Sequence, residues 1–362
     1  MKITGVKATA VSIPRTAQLK TSYGTRDGAV TVLVELSTDE GLVGIGQTAV
    51  EVPSYGESAE GILVNIRKTL APAVIGEDPT NIEYLSKKLK TALPHHYASQ
   101  AGVEFALWDL KGKALGVPVY QLLGGKVRDG VDLMGFVAQD EPSVMAAEAD
   151  AILNDTPFPV LKMKIGKDPA IDIRRYRAVV EAIGDRAVIQ VDGNIGYTMS
   201  QAIPALTTMA QIGQLGCVEQ AVKRLDDMAE LARRIPVPMM SDEAIYPPED
   251  AIEVVRSAGA TIALMKITKS GGILQVKKIA SIFESAGLIL SIAIYYDLIA
   301  VAAAHIAASA PSARWPSPFT HTRDTILSEN FQPQGLLLKV PEKPGFGVEF
   351  DPYKVEKYAL PI

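Results

Sequence analysis

The sequence lacks cysteine pairs and long apolar runs. Cys217 is the single cysteine among 362 residues, so an internal disulfide and a thiolate metal cluster are excluded, which fits a reducing cytoplasm. A helix needs about 20 apolar residues in succession to cross a bilayer, and residues 1–20 mix lysines and prolines with short apolar stretches. We therefore expect a soluble cytoplasmic protein with no signal peptide and no membrane partner.

The sequence also lacks a strong excess of charge of either sign. Its 36 Lys and Arg residues nearly balance its 41 Asp and Glu residues, which gives a formal net charge of -5 and an isoelectric point of about 5.6. No basic run indicates binding to nucleic acid. The 48% hydrophobic content is enough for a large core and for more than one domain.

The first third of the chain indicates a separate α+β unit, residues 1–125. The polar stretch 15–28, which contains Tyr23, is predicted to be a loop long enough to have a function. Gly44-Ile-Gly46 is not followed by a helix, so it is not interpreted as a dinucleotide-binding loop. Residue spacing predicts strands at 2–13, 29–37 and 42–48 and helices at 58–70, 81–92 and 98–114.

From residue 131 onward, predicted strands alternate with amphipathic helices. Such alternation indicates parallel strands joined by right-handed crossovers, and seven units are more than an open sheet usually needs. We predict an α/β fold: a (β/α)₇β TIM-type barrel over residues 126–333, with residues 334–362 folding back on the N-terminal unit. The predicted strands are 131–137, 160–165, 187–191, 216–219, 237–241, 261–267 and 288–294, and a final one at 315–320 that contains two prolines.

Two lysines occupy alternate positions of one predicted strand, Val160-Leu-Lys-Met-Lys-Ile-Gly166. Side chains alternate between the two faces of a strand, so Lys162 and Lys164 point the same way. In a site of low dielectric constant, neighbouring ammonium groups lower each other's pKa, which brings a lysine closer to the range of a base at neutral pH. Taken alone, the seven residues favour the other interpretation, an exposed strand with a solvated lysine face.

Acidic residues follow three successive strands of the predicted barrel. Asp192, Glu219 and Asp242 each come directly after an apolar run, and the functional residues of a TIM barrel collect at the carboxyl ends of its strands. One such acid would be interpreted as a helix N-cap. Three in register predict a cation site, because a desolvated carboxylate needs a partner. Three oxygen ligands without histidine or thiolate favour Mg²⁺.

The lysines and the acids belong to one predicted site. Lys162 and Lys164 lie on the second strand and Lys266 lies on the sixth, so they face each other across the barrel mouth with the acidic strands between them. A carboxylate bound to Mg²⁺ there would have its α-carbon between two amine bases. The cation would stabilise the negative charge left when the α-proton is removed.

Residues 1 to about 350 resemble the muconate lactonizing enzyme branch of the enolase superfamily. The resemblance implies an N-terminal α+β capping domain over a (β/α)₇β barrel, with capping loops that close over the substrate and select it. It also implies a homo-oligomer, either a dimer or an octamer. The motifs that carry it are Lys162-Met-Lys164, Asp192-Gly-Asn194, Glu219-Gln220, Asp242-Glu243, Lys266 with Lys269-Ser-Gly-Gly272, and the stretches 98–110 and 122–125.

The resemblance implies a metal centre with defined neighbours. Asp192, Glu219 and Asp242 are the implied Mg²⁺ ligands. Asn194 would lie next to the metal or next to the carboxylate that the metal binds.

The resemblance also implies roles for the lysines. Lys164 is the implied acid or base on one face of the substrate, and Lys266 is its counterpart on the other face. Lys162 would lower the pKa of Lys164, and Glu243 would pair with Lys266. Strand alternation by itself does not separate the roles of Lys162 and Lys164.

The sequence departs from the family at its last two strands. The region of the eighth strand, Arg314-Trp-Pro-Ser-Pro-Phe-Thr320, has no acidic residue, whereas muconate cycloisomerases and dipeptide epimerases tend to carry acids there that hold the substrate. The seventh strand ends in Ile294-Tyr-Tyr-Asp297 where a Met-x-Glu sequence is common. These departures argue against those two specific reactions and leave proton abstraction next to a carboxylate intact.

Several residues are candidates for contact with the substrate. An aromatic cage around an apolar or quaternary ammonium group is one interpretation of the aromatic ones, and packing in the core is the other. The candidates are Tyr23, Tyr55, Tyr295, Tyr296 and Asp297, with Trp315 and Phe319 in nearby stretches.

We expect an isomerase that uses Mg²⁺ to remove the α-proton of a small carboxylate, either a racemase or epimerase or a cycloisomerase. Lysines on both faces favour inversion at carbon, because an elimination with one base would not require the second. A dehydratase of a hydroxy acid or sugar acid is the alternative among enzymes. A catalytically silent relative that only binds a carboxylate is the alternative outside enzymology.

Overall fold

The computed structural model describes the backbone of residues 1–21 and 24–362 and the side chains of residues 1–16 and 28–362. Its N-terminal part opens with an antiparallel sheet in the order β1-β2-β3, formed by β1 (Ile3–Thr21), β2 (Gly24–Thr38) and β3 (Val43–Ala49). In each strand alternate residues are apolar, so one face of the sheet packs against the helices that follow.

The first hairpin is longer than the sequence predicts. β1 and β2 stay paired as far as Thr21 and Gly24, and the register shifts between the pairs of Pro14 and Leu19. Pro14 has no N–H to donate to the ladder, which explains an irregularity at this point. The prediction of a loop over 15–28 is wrong, because these polar residues lack the apolar alternation by which a strand is recognised.

The helices of the N-terminal part pack on this sheet, and the longest, α5, lies against β3. Gly44 and Gly46 of β3 permit the close approach: a Cβ on Gly46 would lie 2.0 Å from the carbonyl oxygen of Gly102. The helices are α1 (Val52–Tyr55), α2 (Ala59–Asn65), α3 (Ala71–Val74), α4 (Ile82–Ala92), α5 (Tyr97–Leu115) and α6 (Val119–Leu122), with a π-helical turn, Ile66–Leu70, between α2 and α3.

The second part is a nearly closed barrel of parallel strands with helices outside, which confirms the predicted fold class. Neighbouring strands in the chain are neighbours in the barrel from β4 to β10. These strands are β4 (Gly130–Val137), β5 (Val160–Lys164), β6 (Val188–Asp192), β7 (Leu215–Glu219), β8 (Met239–Ser241), β9 (Ile262–Met265) and β10 (Ile289–Ile292).

Helices connect the barrel strands. Pro stands in the first turn of α7, α8 and α11, where its missing N–H costs no hydrogen bond. The sequence analysis does not predict α7. The helices are α7 (Pro142–Asp155), α8 (Pro169–Ile183), α9 (Met199–Ile212), α10 (Leu225–Arg234), α11 (Pro248–Ser257), α12 (Ile267–Ser270), α13 (Ile273–Ser285) and α14 (Asp297–Ser309).

The eighth barrel strand is split at a proline. β11 (Ala313–Trp315) pairs with β10, and β12 (Ser317–Pro318) pairs with β4 on the other side of the gap. Pro316 between them cannot donate to a ladder. The two halves therefore complete the barrel where the sequence predicts a single strand over 315–320.

The C-terminal segment contacts both parts of the molecule. β13 (Leu337–Lys339) pairs antiparallel with β4 of the barrel, and α15 (Pro352–Tyr358) precedes a bridge between Ala359 and Val11 of β1. Among the residues that the structure describes, no helix is both long enough and apolar enough to cross a membrane.

Two contacts position the N-terminal part over the barrel mouth. The carboxylate of Glu104 on α5 accepts hydrogen bonds from the N–H groups at the start of α13, at 2.8 and 2.9 Å. The last residue of β3, Ala49, donates to the hydroxyl of Thr268 on α12 at 3.4 Å. The chain that follows β3 is thereby held at the carboxyl end of the barrel strands.

Candidate active site

The charged residues predicted from the sequence meet at one end of the barrel. Lys164, Asp192 and Glu219 are the last residues of β5, β6 and β7, and Asp242 and Lys266 directly follow β8 and β9. In the strand register Lys164 lies opposite Asp192, and Asp192 lies opposite Glu219. A cavity of about 180 Å³ at this end has Lys162, Lys164, Lys266, Asp192 and Glu219 among the residues that line it.

Lys162 and Lys164 both point into the barrel and share one carboxylate. The Nζ atom of Lys162 lies 2.5 Å from Glu219 Oε2 and 2.8 Å from Asp192 Oδ2. The Nζ atom of Lys164 lies 2.5 Å from Asp192 Oδ2 and 2.5 Å from Asn194 Oδ1. Lys162 is the deeper of the two, 6% exposed, because it stands two residues before the end of the strand.

On the opposite side of the mouth, Asp242 lies between two ammonium groups. Lys266 Nζ is 2.5 Å from Asp242 Oδ2, and Lys269 Nζ is 2.7 Å from Asp242 Oδ1. Lys269 also donates to the backbone oxygen of Asp242, and its Nζ lies 5.5 Å from the centre of the Tyr246 ring. Lys269 belongs to a motif quoted from the sequence, but the sequence analysis assigns it no role.

The carboxylates raise the pKa values of Lys162 and Lys266, whereas the sequence predicts that neighbouring lysines lower each other's pKa. Burial lowers the pKa of Lys162, but the charges of Asp192 and Glu219 outweigh burial and raise that pKa above its usual range. Burial also lowers the pKa of Lys266, but the charge of Asp242 outweighs burial and raises that pKa. In this arrangement both side chains are ammonium ions at neutral pH.

The three acids respond differently to the lysines. Burial raises the pKa of Asp192 and Asp242, but the neighbouring lysine charges prevail and hold both pKa values below the usual range. For Glu219, burial and the charge of Asp192 outweigh Lys162 and raise the pKa to about 7. Glu219 is fully buried, and its Oε1 atom has no hydrogen-bond partner among the described residues.

The predicted Mg²⁺ ligands fit the ion by donor type. Asp192, Glu219 and Asp242 are hard oxygen donors on three successive strands, and the unpartnered Oε1 of Glu219 is an atom whose burial a cation would offset. Within the described residues, no three Asp, Glu, His or Cys side chains converge closely enough to hold one ion. The ammonium group of Lys162 lies between Asp192 and Glu219, in contact with both.

The two residues predicted to surround the metal ligands contact each other. Asn194 Nδ2 donates to Glu243 Oε1 at 3.1 Å, and the backbone N–H of Asn194 donates to Asp192 Oδ1 at 3.0 Å. Glu243, which the resemblance pairs with Lys266, contributes its charge to the raised pKa of that lysine. The short ion pair of Lys266 is with Asp242.

Two of the predicted substrate-binding tyrosines lie at the cavity. Tyr295 lines it, and the Tyr295 hydroxyl lies 2.8 Å from the hydroxyl of Tyr55, which comes from the N-terminal part. Burial raises the pKa of both phenols, so both remain protonated hydrogen-bonding groups.

The other predicted contacts point elsewhere or lie outside the described residues. Tyr296 donates to the backbone oxygen of Val30 at 3.1 Å. Asp297 accepts hydrogen bonds from Thr325 and from the N–H of Ile326, so it faces the C-terminal segment. Tyr23 lies outside the described residues.

Other residues that line the cavity are absent from the predicted set. Phe136 is the residue before the last in the first barrel strand, and Leu264 stands two residues before Lys266. Inspection of the carboxyl end of every predicted strand would have found both. Glu51 and Ser54 follow β3 and reach the cavity from the N-terminal part, which no local pattern indicates. The remaining lining residues are Ala293, Ile294, Pro318 and Thr320.

Two family descriptions match the chain over most of its length. "Mandelate racemase / muconate lactonizing enzyme, N-terminal domain" matches residues 3–124, and "Enolase C-terminal domain-like" matches residues 144–354. The chain belongs to the mandelate racemase/muconate lactonizing enzyme family. This confirms the resemblance to the enolase superfamily that the sequence motifs indicate.

Individual members of the family align with nearly the whole chain. Muconate cycloisomerase 1-1 of Acinetobacter lwoffii is 32% identical over an alignment of 362 positions, which covers 98% of this chain and 95% of the relative. The structure of N-succinyl Arg/Lys racemase from Bacillus cereus superposes with a TM-score of 0.95 at 27% identity and covers 99% of this chain and 98% of that one. A dipeptide epimerase from Cytophaga hutchinsonii, complexed with Mg and the dipeptide D-Ala-L-Val, has a TM-score of 0.93 at 25% identity, with coverages of 99% and 98%.

These relatives are cycloisomerases, racemases and epimerases, all of which are isomerases. The predicted enzyme class, an isomerase of the enolase superfamily, is therefore confirmed. Mg is bound in structures of relatives, which agrees with the ion predicted from the acidic strand ends.

Proposed function

We propose that this isomerase is a racemase or epimerase that inverts the α-carbon of a small carboxylate substrate. The observation that carries the proposal is that Lys164 and Lys266 reach one cavity from β5 and β9. These strands are four positions apart in a barrel of eight, so the two amines approach from opposite sides. Inversion by proton transfer needs an acid or base on each face of the reacting carbon.

Mg²⁺ is the proposed cofactor, and Asp192, Glu219 and Asp242 would hold it. When bound, it supplies a positive charge that stabilises the negative charge developing on the substrate carboxylate as the α-proton leaves. Structures of relatives that contain Mg support this assignment.

The residues of the chain would handle the proton. Lys164 takes or delivers it at Nζ on one face, held in place by its contacts with Asp192 and Asn194. Lys266 does the same on the other face, positioned by Asp242. Lys162 lies deeper in the barrel than Lys164, and its positive charge partly balances the negative charges of Glu219 and Asp192. Phe136, with the other apolar lining residues, limits water at the reacting carbon.

The substrate would be a small carboxylate with an apolar portion next to the reacting carbon. The charged end of the cavity faces Leu264, Ala293, Ile294 and Pro318, which offer no hydrogen-bonding side chain. Dipeptide and N-succinyl amino acid substrates are named for relatives with TM-scores of 0.93 and 0.95, which supports N-acylated amino acids and dipeptides as the first compounds to test.

A cycloisomerase is the second candidate, supported by the 32% identity to a muconate cycloisomerase. Against it, and equally against epimerisation of dipeptides, stands the eighth strand, where Ala313–Trp315 and Ser317–Pro318 contain no acidic side chain. A dehydratase and a silent carboxylate-binding relative remain alternatives that the following experiment separates.

The test is mass spectrometry of a carboxylic-acid library incubated with the protein and Mg²⁺ in D₂O, covering N-acyl amino acids, dipeptides, proline derivatives, betaines and muconates. Gain of one deuterium with inversion is expected for a racemase or epimerase. A cyclised product that carries one deuterium from the solvent would indicate a cycloisomerase, loss of water a dehydratase, and no change in any compound the silent relative.

The two-face mechanism is tested with matched variants, Lys164→Ala and Lys266→Ala. Each should abolish inversion, and each should retain α-proton exchange from the enantiomer whose proton faces the remaining lysine. Equal loss of exchange from both enantiomers in either variant would contradict the assignment of one lysine to each face.

We further propose a cytoplasmic homo-oligomer, a dimer or an octamer, with no nucleic-acid or membrane partner. The single cysteine supports the cytoplasmic location. The balanced charge supports the absence of a nucleic-acid or membrane partner. Sedimentation analysis of the purified protein would determine the oligomeric state.

A further inference from the structure

A chain of hydrogen bonds runs from half-buried Trp315 through buried Gln190 to buried Glu219. The indole N–H of Trp315 on β11 donates to Gln190 Oε1 at 2.6 Å, and Gln190 Nε2 on β6 donates to Glu219 Oε2 at 2.5 Å. Gln190 is 2% exposed, and its Nε2 also lies 3.7 Å from the sulfur of Met240. Of the three, only Glu219 lines the cavity.

The indole determines which end of the Gln190 amide faces Glu219. An indole N–H is only a donor, so it requires the carbonyl oxygen of the amide on its side. The NH₂ group is therefore turned toward the carboxylate. In the flipped amide, Oε1 would face the anionic Glu219 Oε2 while two donors faced each other at Trp315, so the observed orientation is strongly favoured.

Glu219 has its two oxygens in different situations. Oε2 accepts from Gln190 and from Lys162, each at 2.5 Å. Oε1 is buried and has no hydrogen-bond partner among the described residues. Two donors on one oxygen restrict rotation of the carboxylate and leave the other oxygen for a ligand that the described side chains do not supply.

We infer that Trp315 and Gln190 are positioning residues for the metal ligand Glu219, and that they set the affinity of the barrel mouth for Mg²⁺. This inference rests on the proposed function, because it takes Glu219 as a ligand of the ion. The inference gives a role to the contact between Trp315 of the eighth barrel strand and Gln190 of β6. The eighth strand lacks the acidic residues that are common in the family. The role is indirect, since Trp315 acts on the ion only through two other side chains.

The chain offers a matched control because it contains two tryptophans, and the indole N–H of each donates to a side chain. Trp108 Nε1 donates to Glu104 Oε1 at 2.7 Å, in the contact between α5 and α13. Trp315→Phe and Trp108→Phe thus remove the same donor from a half-buried and a buried site, of which only the first is linked to Glu219.

The measurement is the Kd of Mg²⁺ for the full-length protein by titration calorimetry, without substrate, with the unfolding midpoint in EDTA recorded for each variant. Trp315→Phe is expected to raise the Kd about tenfold, the range in which loss of a group that orients a metal ligand usually falls. Trp108→Phe is expected to leave the Kd within twofold of the wild type. Both variants should lower the midpoint in EDTA, so stability alone will not account for the difference in Kd.

A double-variant cycle tests whether the effect passes through Gln190. Gln190→Leu should raise the Kd about as much as Trp315→Phe, and the double variant should be no worse than either one, because all three break the same chain. A wild-type Kd in Trp315→Phe, or additive effects in the double variant, would overturn the inference while leaving the proposed metal site intact. If the wild type binds no Mg²⁺, the metal site and the inference fail together.

Discussion

Two regions of the molecule bury ionisable side chains, and they neutralise them in different ways. The mouth cluster consists of Asp192, Glu219 and Asp242 with the lysines that contact them, Lys162, Lys164, Lys266 and Lys269. The seam cluster consists of Glu104 and His305, at most 1% exposed, and each accepts at least one hydrogen bond from a backbone N–H of another element.

The difference lies in what the partners can do. Backbone N–H groups in the seam cluster are fixed by helices and strands, so they cannot exchange protons or move aside, and the acceptors hold elements together. In the mouth cluster the partners are long lysine side chains, which can change protonation state and position, and Glu219 Oε1 is left without a hydrogen-bond partner among the described residues. Buried carboxylates that pair with mobile lysine side chains are typical of an active site.

The largest effect is expected from the mouth cluster. Asp242→Asn removes a proposed metal ligand and the charge that positions Lys266, so we expect activity to fall by about 10³-fold or more. The rise of the unfolding midpoint on addition of Mg²⁺ should also disappear, and differential scanning fluorimetry measures it directly.

Asp172→Asn is the matched control for that variant. Asp172 is fully buried, but it accepts from the N–H groups of Gly166 and Lys167 and from the hydroxyl of Tyr197. It should lower stability and keep the Mg²⁺ response. An unchanged Mg²⁺ response in Asp242→Asn would remove the metal-site assignment.

A smaller effect, on stability, is expected from the seam cluster. Glu104→Ala leaves two N–H groups of α13 and the indole of Trp108 without their acceptor, so we expect the free energy of unfolding to fall by about 3 kcal/mol. Glu104→Gln keeps an acceptor oxygen and removes a charge that burial disfavours, since burial raises the pKa of Glu104 to about 7. It should cost about 1 kcal/mol.

Urea denaturation at pH 8 in EDTA compares the two variants of Glu104. Equal losses would show that the charge of Glu104, and not its acceptor geometry, holds α5 to α13. Neither variant should change the Kd of Mg²⁺, because among the described residues the hydrogen bonds of Glu104 go to α13 and to Trp108. A large change in the Kd would show that the two clusters are coupled.

The third predicted effect is a loss of stability in acid that is caused by His305. At neutral pH it is the smallest of the three effects. Burial lowers the pKa of His305 to about 4 from the usual 6.5. Its Nδ1 accepts from the N–H of Tyr120, and its Nε2 lies 3.1 Å from the carbonyl oxygen of Phe346, so the neutral ring fits the site. Between pH 6.5 and 4 the unfolded chain binds one proton more than the folded chain at this ring, so stability falls as pH falls, by about 3 kcal/mol at pH 4.

His305→Gln is the matched variant, since an amide can accept and donate at the same two places without titrating. Above pH 7 it should differ little from the wild type. Urea unfolding at a series of pH values should show that the stability of the variant falls less steeply than that of the wild type between pH 6.5 and 4. The reason is that the variant takes up as much as one proton fewer on unfolding. Parallel curves for the two proteins would contradict the assignment of this acid sensitivity to His305.

Much of the fold and of the mouth cluster could be predicted because the signals are local. Lys162 and Lys164 face the same way since side chains alternate along a strand, and the acids at the ends of β6 and β7 meet since parallel strands end at one edge. The hairpin over 15–28 was missed because its residues show no apolar alternation. The split at Pro316 was missed because pairing with two different neighbours depends on how the barrel closes.

Contacts between distant segments could not be predicted. Asp297 was expected at the substrate and instead meets Thr325 and Ile326, since its backbone adopts a positive φ of 51° and α14 begins there. The raised pKa of Lys162 also differs from the expectation, because two carboxylates of other strands outweigh the effect of burial.

The sequence by itself determined the barrel, the family and the residue types at the mouth, because strand period, strand ends and short motifs are properties of neighbouring residues. Only the tertiary structure decided which oxygen faces which ammonium group, that Glu51 and Ser54 reach the cavity from another part of the chain, and that Trp315 is linked to Glu219 through Gln190. These contacts join residues at least 24 positions apart, and their energies depend on burial and orientation, which arise only when the barrel closes.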